Sequence, residues 1–280
     1  MEIALEWGAP APALRPYVHR YVGFVERTPA PLRRRELPSG DVHLIISFGP
    51  HWDLVLHGGR HYSFVAGLDD RHAFSEHQGF AHGIEIQFTP LGAGAFMGLP
   101  MRELTHRVVP FDAVAGRGGE ELIEQLALAP SWPARFALLD EAIAARVAQA
   151  APAPAEVAWA WRRLQATNGA VPVSALAGEL GWSRKRLIAR FREHVGVAPK
   201  LYARLLRFQA AVEVLRQPGA ERLALAQVAL DCGYYDQAHL NRDFKAFAGA
   251  TPTDCLAGRL PGQAGFHEET SVQDGLPAAA

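Results

Sequence analysis

Two short stretches of this chain concentrate side chains that can bind phosphates and base edges. One holds Arg184, Lys185, Arg186, Ile188 and Arg192; the other holds Gln237, His239, Asn241, Arg242 and Lys245. Guanidinium and ammonium groups pair with phosphate oxygens or with guanine O6 and N7, amides pair with adenine, and an aliphatic side chain can meet a thymine methyl. At helical periodicity Lys185, Ala189 and Arg192 fall opposite Leu187 and Phe191, and Ala238, Arg242 and Lys245 fall opposite Leu240 and Phe244. Each stretch is therefore expected to be a helix with an apolar face turned inward and a basic face free for the major groove of double-stranded DNA. Arg242 and Gln237 are the expected base readers, with Arg186, Arg192 and Lys245 leaning towards phosphate. Any one of these residues alone would more often be a solvated surface group, so the weight rests on their recurrence.

That recurrence extends to the elements that must hold the two helices. Leu187, Phe191, Gly196 and Pro199 return as Leu240, Phe244, Gly249 and Pro252, and Ala177 and Gly181 return as Ala229 and Gly233. A small residue lets two helices cross closely. A glycine ends the first helix of each unit in a left-handed conformation. Ser183 and Asp236 are placed to cap the second helix. Helix, glycine turn and helix, twice over, is the helix-turn-helix pattern. Between the units Leu201, Leu205, Phe208, Val212 and Leu215 make one apolar stripe, begun by Pro199 and stopped by Gln217-Pro218-Gly219, which predicts a long connecting helix. Recognition helices spaced by such a rod could enter successive major grooves, about 34 Å apart.

Charge follows the same division. The 280-residue chain has a net charge of −1, but residues 1–154 hold thirteen Lys and Arg against seventeen Asp and Glu, and residues 155–260 hold fifteen against nine. The fold class expected is a two-domain chain. Residues 1–150 form an N-terminal α+β domain, a β-barrel or sandwich with helices at its end, and residues 155–258 form an all-α domain with two helix-turn-helix units joined by a long helix. Ala150-Ala-Pro-Ala-Pro154 marks the boundary, and residues 259–280 are expected as a disordered tail. Strands are predicted at Val42–Phe48, Trp52–His57 (a hairpin closing at Gly58-Gly59), His61–Gly67 and His82–Thr89, and helices at Glu120–Leu128 and Ala134–Gln149. Leu122, Leu126, Leu139, Ile143 and Val147 on those helices could close the domain core or face a second copy of the chain.

Seven histidines fall between His43 and His82, namely His43, His51, His57, His61, His72, His77 and His82. Their spacing makes no metal-ligand motif, and separate surface or hydrogen-bonded histidines are preferred over a metal-binding protein or metalloenzyme, the alternative kept open. Trp52, Phe64, Phe74 and Phe88 could line a small-molecule pocket or simply fill a β core. Cys232 and Cys255 are expected as buried residues in a reducing cytoplasm rather than as reactive thiols. No catalytic constellation, cofactor motif, membrane span or secretion signal is recognisable, so neither an enzyme nor a cofactor is expected.

At this point the residues resemble a known family. Ala229-Leu-Asp-Cys-Gly-Tyr-Tyr-Asp-Gln-Ala-His-Leu-Asn-Arg-Asp-Phe-Lys-Ala-Phe-Ala-Gly-Ala-Thr-Pro252 and Gly196-Val-Ala-Pro-Lys-Leu-Tyr-Ala-Arg-Leu-Leu-Arg207 are similar to the signature stretches of AraC/XylS-type regulators. The resemblance covers residues 155–257 and implies bacterial promoter recognition through two major-groove helices. Cys255-Leu256 stand where the family usually has a tyrosine-arginine pair. Leu37-Pro-Ser-Gly-Asp41, Gly83–Gly94 and Leu99–Leu104 more weakly resemble the family's effector and dimerisation domain. The partners this implies are double-stranded promoter DNA, with RNA polymerase, an unknown small-molecule effector and a second copy of the chain as further candidates.

Overall fold

The structure is a computed structural model that describes residues 2–54 and 59–257. The expected tail at 259–280, His57 and the loop of the expected hairpin lie outside the described residues.

Among the described residues the N-terminal part has ten strands: β1 (Glu2–Gly8), β2 (Val18–Arg27), β3 (Leu32–Glu36), β4 (Val42–Ser47), β5 (Trp52–Leu54), β6 (Arg60–His61), β7 (Phe64–Ala66), β8 (Ala73–His77), β9 (Phe80–Phe88) and β10 (Val108–Pro110). They pair antiparallel in a six-stranded sheet, ordered β1-β2-β9-β4-β7-β10, and a four-stranded sheet, ordered β3-β8-β5-β6. Alternation in β9 divides its side chains between two environments. Ile84, Ile86 and Phe88 are fully buried in the main core. The other face of the large sheet meets the small one, where Phe24, Phe64 and Ala81 pack with Trp52 and Leu54. The expected strand at His61–Gly67 is two short strands in different sheets, because β6 pairs β5 whereas β7 pairs β4 and β10.

Four helices cover the outer face of the large sheet: α1 (Pro90–Met97), α2 (Phe111–Ala115), α3 (Arg117–Leu128) and α4 (Trp132–Gln149). Leu122, Leu126, Leu139 and Ile143 are at most 5% exposed and share one cluster with Ile84 and Ile86, and Val147 packs on the same cluster. Within the described residues Leu122, Leu126, Leu139 and Ile143 close the chain's own core, with Val147 packed at its edge.

Residues 150–154 carry no helix or strand. Beyond them come α5 (Ala155–Ala166), α6 (Val173–Glu179), α7 (Arg184–Val195), α8 (Pro199–Arg216), α9 (Leu225–Asp231), α10 (Gln237–Ala248) and α11 (Pro252–Leu256). The connecting helix α8 has the length and ends that the apolar stripe predicts, but it is buried on more sides. Tyr202 and Leu206 belong to the main core, which runs from the sheet helices through α5, α6 and α7. Leu205, Phe208, Val212 and Leu215 belong to a second core made with α9, α10 and α11. There Phe208 meets Phe244 and Phe247 edge-on, with ring centroids 4.9 and 5.2 Å apart. Each such buried aliphatic or aromatic side chain stabilises the packing by roughly 1.5–3 kcal/mol. α8 is therefore held by both cores.

Candidate nucleic-acid interface

Both units have the local geometry that their spacing demands. Gly181 and Gly233 have φ of +63° and +79°, the left-handed backbone that turns the chain between the paired helices. The Ser183 hydroxyl accepts from the Arg186 N–H at 3.2 Å, and the Asp236 carboxylate accepts from the His239 N–H at 2.7 Å, capping α7 and α10. Ala177 and Ala229 are buried at the helix crossings, and Leu187, Phe191, Leu240 and Phe244 are fully buried. With one face of each helix fixed inward, the opposite face is left to solvent.

On α7 that face carries Arg184, Lys185, Arg186 and Arg192, all exposed, while Ile188 is half-buried. The Arg186 guanidinium lies 4.4 Å from the centre of the Trp182 ring, which holds it at the start of the helix. On α10 Gln237, Arg242 and Lys245 are exposed, whereas His239 and Asn241 are half-buried. The His239 ring stands edge-on to Tyr234, centroids 5.1 Å apart. Of the ten residues singled out, seven thus present free polar groups and three sit at the margin of the face.

Two features escaped a reading of the recognition helices alone. Tyr235, next to the α10 cap, is 87% exposed, an aromatic ring that no core uses. In addition, Arg184, Lys200 and Arg207 line an open cleft of about 350 Å³ with residues 169–174. Arg207 donates from Nη1 to the Gly169 carbonyl at 2.6 Å and lies over the Tyr234 ring at 5.7 Å, so it ties the approach to the first unit to the turn of the second. The signal for these was the polar face of α8 and the residue before the cap, neither of which repeats between units.

The competing chemistries find less to work with. Cys232 and Cys255 are 4% and 0% exposed. Burial raises the Cys232 pKa and pushes that of Cys255 up to about 11, away from the reactive thiolate. The histidines go to separate partners: His43 Nδ1 to Glu85 at 2.6 Å, His77 Nε2 to Glu26 at 3.0 Å, and His51 Nε2 to Asp53 at 3.9 Å. Among the described residues, the three-member cluster with potential ligand atoms is Asp69, Asp70 and His106, which contains none of the seven histidines of the dense stretch. Of the aromatics expected at a pocket, Trp52 and Phe64 lie between the sheets. Phe88 does not, being stacked on Phe96 in the helix-covered core, and Phe74 lies under the guanidinium groups of Arg33 and Arg35.

Comparison with known proteins gives two separate family matches. Residues 176–257 match the family described as a helix-turn-helix domain, and residues 8–110 match one described as a domain of unknown function. No curated protein matches the chain. Among solved structures, the C-terminal domain of AraT, a response regulator from Geobacillus stearothermophilus, is 16% identical with a TM-score of 0.35, over 46% of this chain and 97% of that one. A transcriptional regulator with an AraC-type DNA-binding domain from Chromobacterium violaceum is 24% identical with a TM-score of 0.32, over 38% and 93%. ToxT from Vibrio cholerae is 10% identical with a TM-score of 0.48, over 92% and 98%. Among the described residues no helix is long and apolar enough to cross a membrane.

Proposed function

We propose that the chain is a DNA-binding transcription regulator of the AraC type, whose helix-turn-helix domain reads promoter DNA by placing α7 and α10 in successive major grooves. The observation that carries this is the pair of capped helices, each with Leu and Phe fully buried on one side and arginine and lysine exposed on the other, both anchored to α8. Arg242 and Gln237 contact base edges, whereas Arg186, Arg192 and Lys245 contact phosphates. Lys200 and Arg184, flanking the cleft, add phosphate contacts between the units, and Tyr235 packs on the backbone beside α10.

The N-terminal domain, residues 1–150, is the regulatory half, which answers to a small-molecule effector. Supporting this, a chain of hydrogen bonds crosses the inner side of the large sheet: Arg20 Nε to Gln87 at 2.7 Å, Gln87 Nε2 to Glu85 at 3.0 Å, Glu85 to His43 at 2.6 Å, and His43 Nε2 to Ser39 at 2.9 Å. The next residue, Gly40, is bonded to Gln209 and Tyr202 of α8. A ligand that alters this chain would be felt at the connecting helix.

The direct test is fluorescence anisotropy of the purified chain with the duplex upstream of its own gene and with a scrambled duplex, over a range of salt. Tighter binding to the upstream duplex is expected, with log K falling linearly in log salt by roughly 0.9 per phosphate neutralised. Equal, salt-insensitive binding to both duplexes would overturn the assignment.

A further inference from the structure

The two recognition helices end at equivalent glycines of the repeat, Gly196 after α7 and Gly249 after α10. Both ends are docking points for the N-terminal domain. The Thr105 hydroxyl donates to the Gly196 carbonyl at 2.8 Å, and Arg35 Nη1 donates to the carbonyl of Ala248. The approach is close at each glycine. A Cβ on Gly196 would lie 3.0 Å from Thr105 Oγ1, and one on Gly249 would lie 2.7 Å from the His72 ring and 3.0 Å from Arg35 Nη1. Between these points Gly40 donates its N–H to Gln209 at 3.2 Å and accepts from the Tyr202 hydroxyl at 3.3 Å, which docks the same domain on the middle of α8.

One body therefore touches the far end of each recognition helix and the rod between them. A single rod fixes distance well but resists rotation of its ends poorly, since the turns beside it flex. Contacts at the two helix ends from a third, sheet-based body remove that freedom. We propose that Thr105, Arg35 and His72 are positioning residues that set the relative placement of α7 and α10, and so fix which half-site spacing the protein accepts. This rests on the tandem reading of DNA given above. At the two recognition-helix ends the acceptors are backbone carbonyls, so these bonds constrain placement without taking a basic side chain away from DNA.

The experiment is a binding series with the full chain on duplexes that carry both half-sites, with zero, one or two base pairs inserted between them. One inserted pair displaces a half-site by about 3.4 Å and rotates it by about 35°. Wild type is expected to lose roughly tenfold or more in affinity on the first insertion, the loss typical of one misplaced base contact. Arg35→Ala with His72→Ala, and separately Thr105→Val, are expected to reduce that loss to about threefold or less while keeping the preference for the correct half-sites over scrambled ones. The two variants act at the ends of different recognition helices, so a folding defect in one leaves the other to decide, with circular dichroism as the check. Folded variants that keep the full wild-type spacing penalty would overturn the proposal. If wild type does not distinguish half-sites from scrambled duplex at any spacing, the DNA reading itself fails, which is a separate outcome.

Discussion

Arg204 on α8 holds the carboxylate of Asp243 on α10, donating to its Oδ1 from Nε at 3.0 Å and from Nη2 at 2.8 Å. Asp243 is 3% exposed, so the pair joins the connecting helix to the second recognition helix from inside the fold. The same guanidinium lies over the Phe247 ring at 4.6 Å. Removing the arginine leaves a buried charge without its partner. Arg204→Met is therefore expected to lower stability by about 3 kcal/mol, the low end for a buried pair because Arg204 keeps part of its surface in water. Adding Asp243→Leu should restore much of that loss. Chemical denaturation measures both, and a neutral Arg204→Met would show that the pair does not pin α10.

Arg242 and Lys245 share one exposed face but are assigned different partners. Arg242→Ala is expected to cost about 1–3 kcal/mol of binding and to relax preference at one base position. Lys245→Ala should weaken all duplexes alike and lower the salt slope by about one. Competition against singly substituted operators separates the two; uniform weakening by Arg242→Ala would move that residue to phosphate.

Alanine at two glycines should act with opposite sign. Gly233 has φ +79°, and a Cβ there would lie 3.3 Å from Arg207 Cδ, so Gly233→Ala is expected to cost about 1–2 kcal/mol. Gly178 lies inside α6 with nothing within 4 Å of an added Cβ, and Gly178→Ala is expected to gain about 0.5–1 kcal/mol. Thermal melts decide. A tolerated Gly233→Ala would mean that the second turn does not need its left-handed residue.

The His43–Glu85 pair should give stability a dependence on pH. Burial opposes charge on His43, but the hydrogen bond and charge of Glu85, with Asp41 and Glu36 nearby, outweigh it and raise the pKa above 6.5. Glu85, held by the same bond, has its pKa lowered and stays ionised near neutrality. A pKa raised by folding means stability fully present below the unfolded value and lost as pH climbs through the folded one. The difference in Tm between wild type and His43→Gln is therefore expected to be largest near about pH 6 and to shrink towards about pH 8. A difference that stays constant across that window would mean that His43 is neutral in the fold.

The C-terminal units were legible because each position does one job twice: a buried leucine and phenylalanine, a left-handed glycine, a capping hydroxyl or carboxylate. The β-rich part was legible only where one face dominates, as in β9. β2 gives a weaker signal because both of its faces are covered, one by the main core and one by the small sheet, and its register shifts between Val18 and Arg20. β3, with Arg33, Arg34 and Arg35 in its middle, lacks the apolar alternation that marks a strand; in the fold two of those arginines cover Phe74. Docking of Thr105 and Arg35 on the helix ends left no trace in the sequence, since the acceptors are main-chain carbonyls, which any residue supplies. The apolar core likewise runs past the Pro152 and Pro154 boundary, because contacts across space carry no spacing along the chain.

The central claim is that one chain reads two half-sites at once. Selection of bound duplexes from a random pool by the full-length protein, followed by sequencing, tests it most directly. The account predicts enrichment of a bipartite motif with half-site centres about 10 base pairs apart, one turn of the helix. A pool with no enriched motif, or with a single half-site and no second at any fixed spacing, would contradict it.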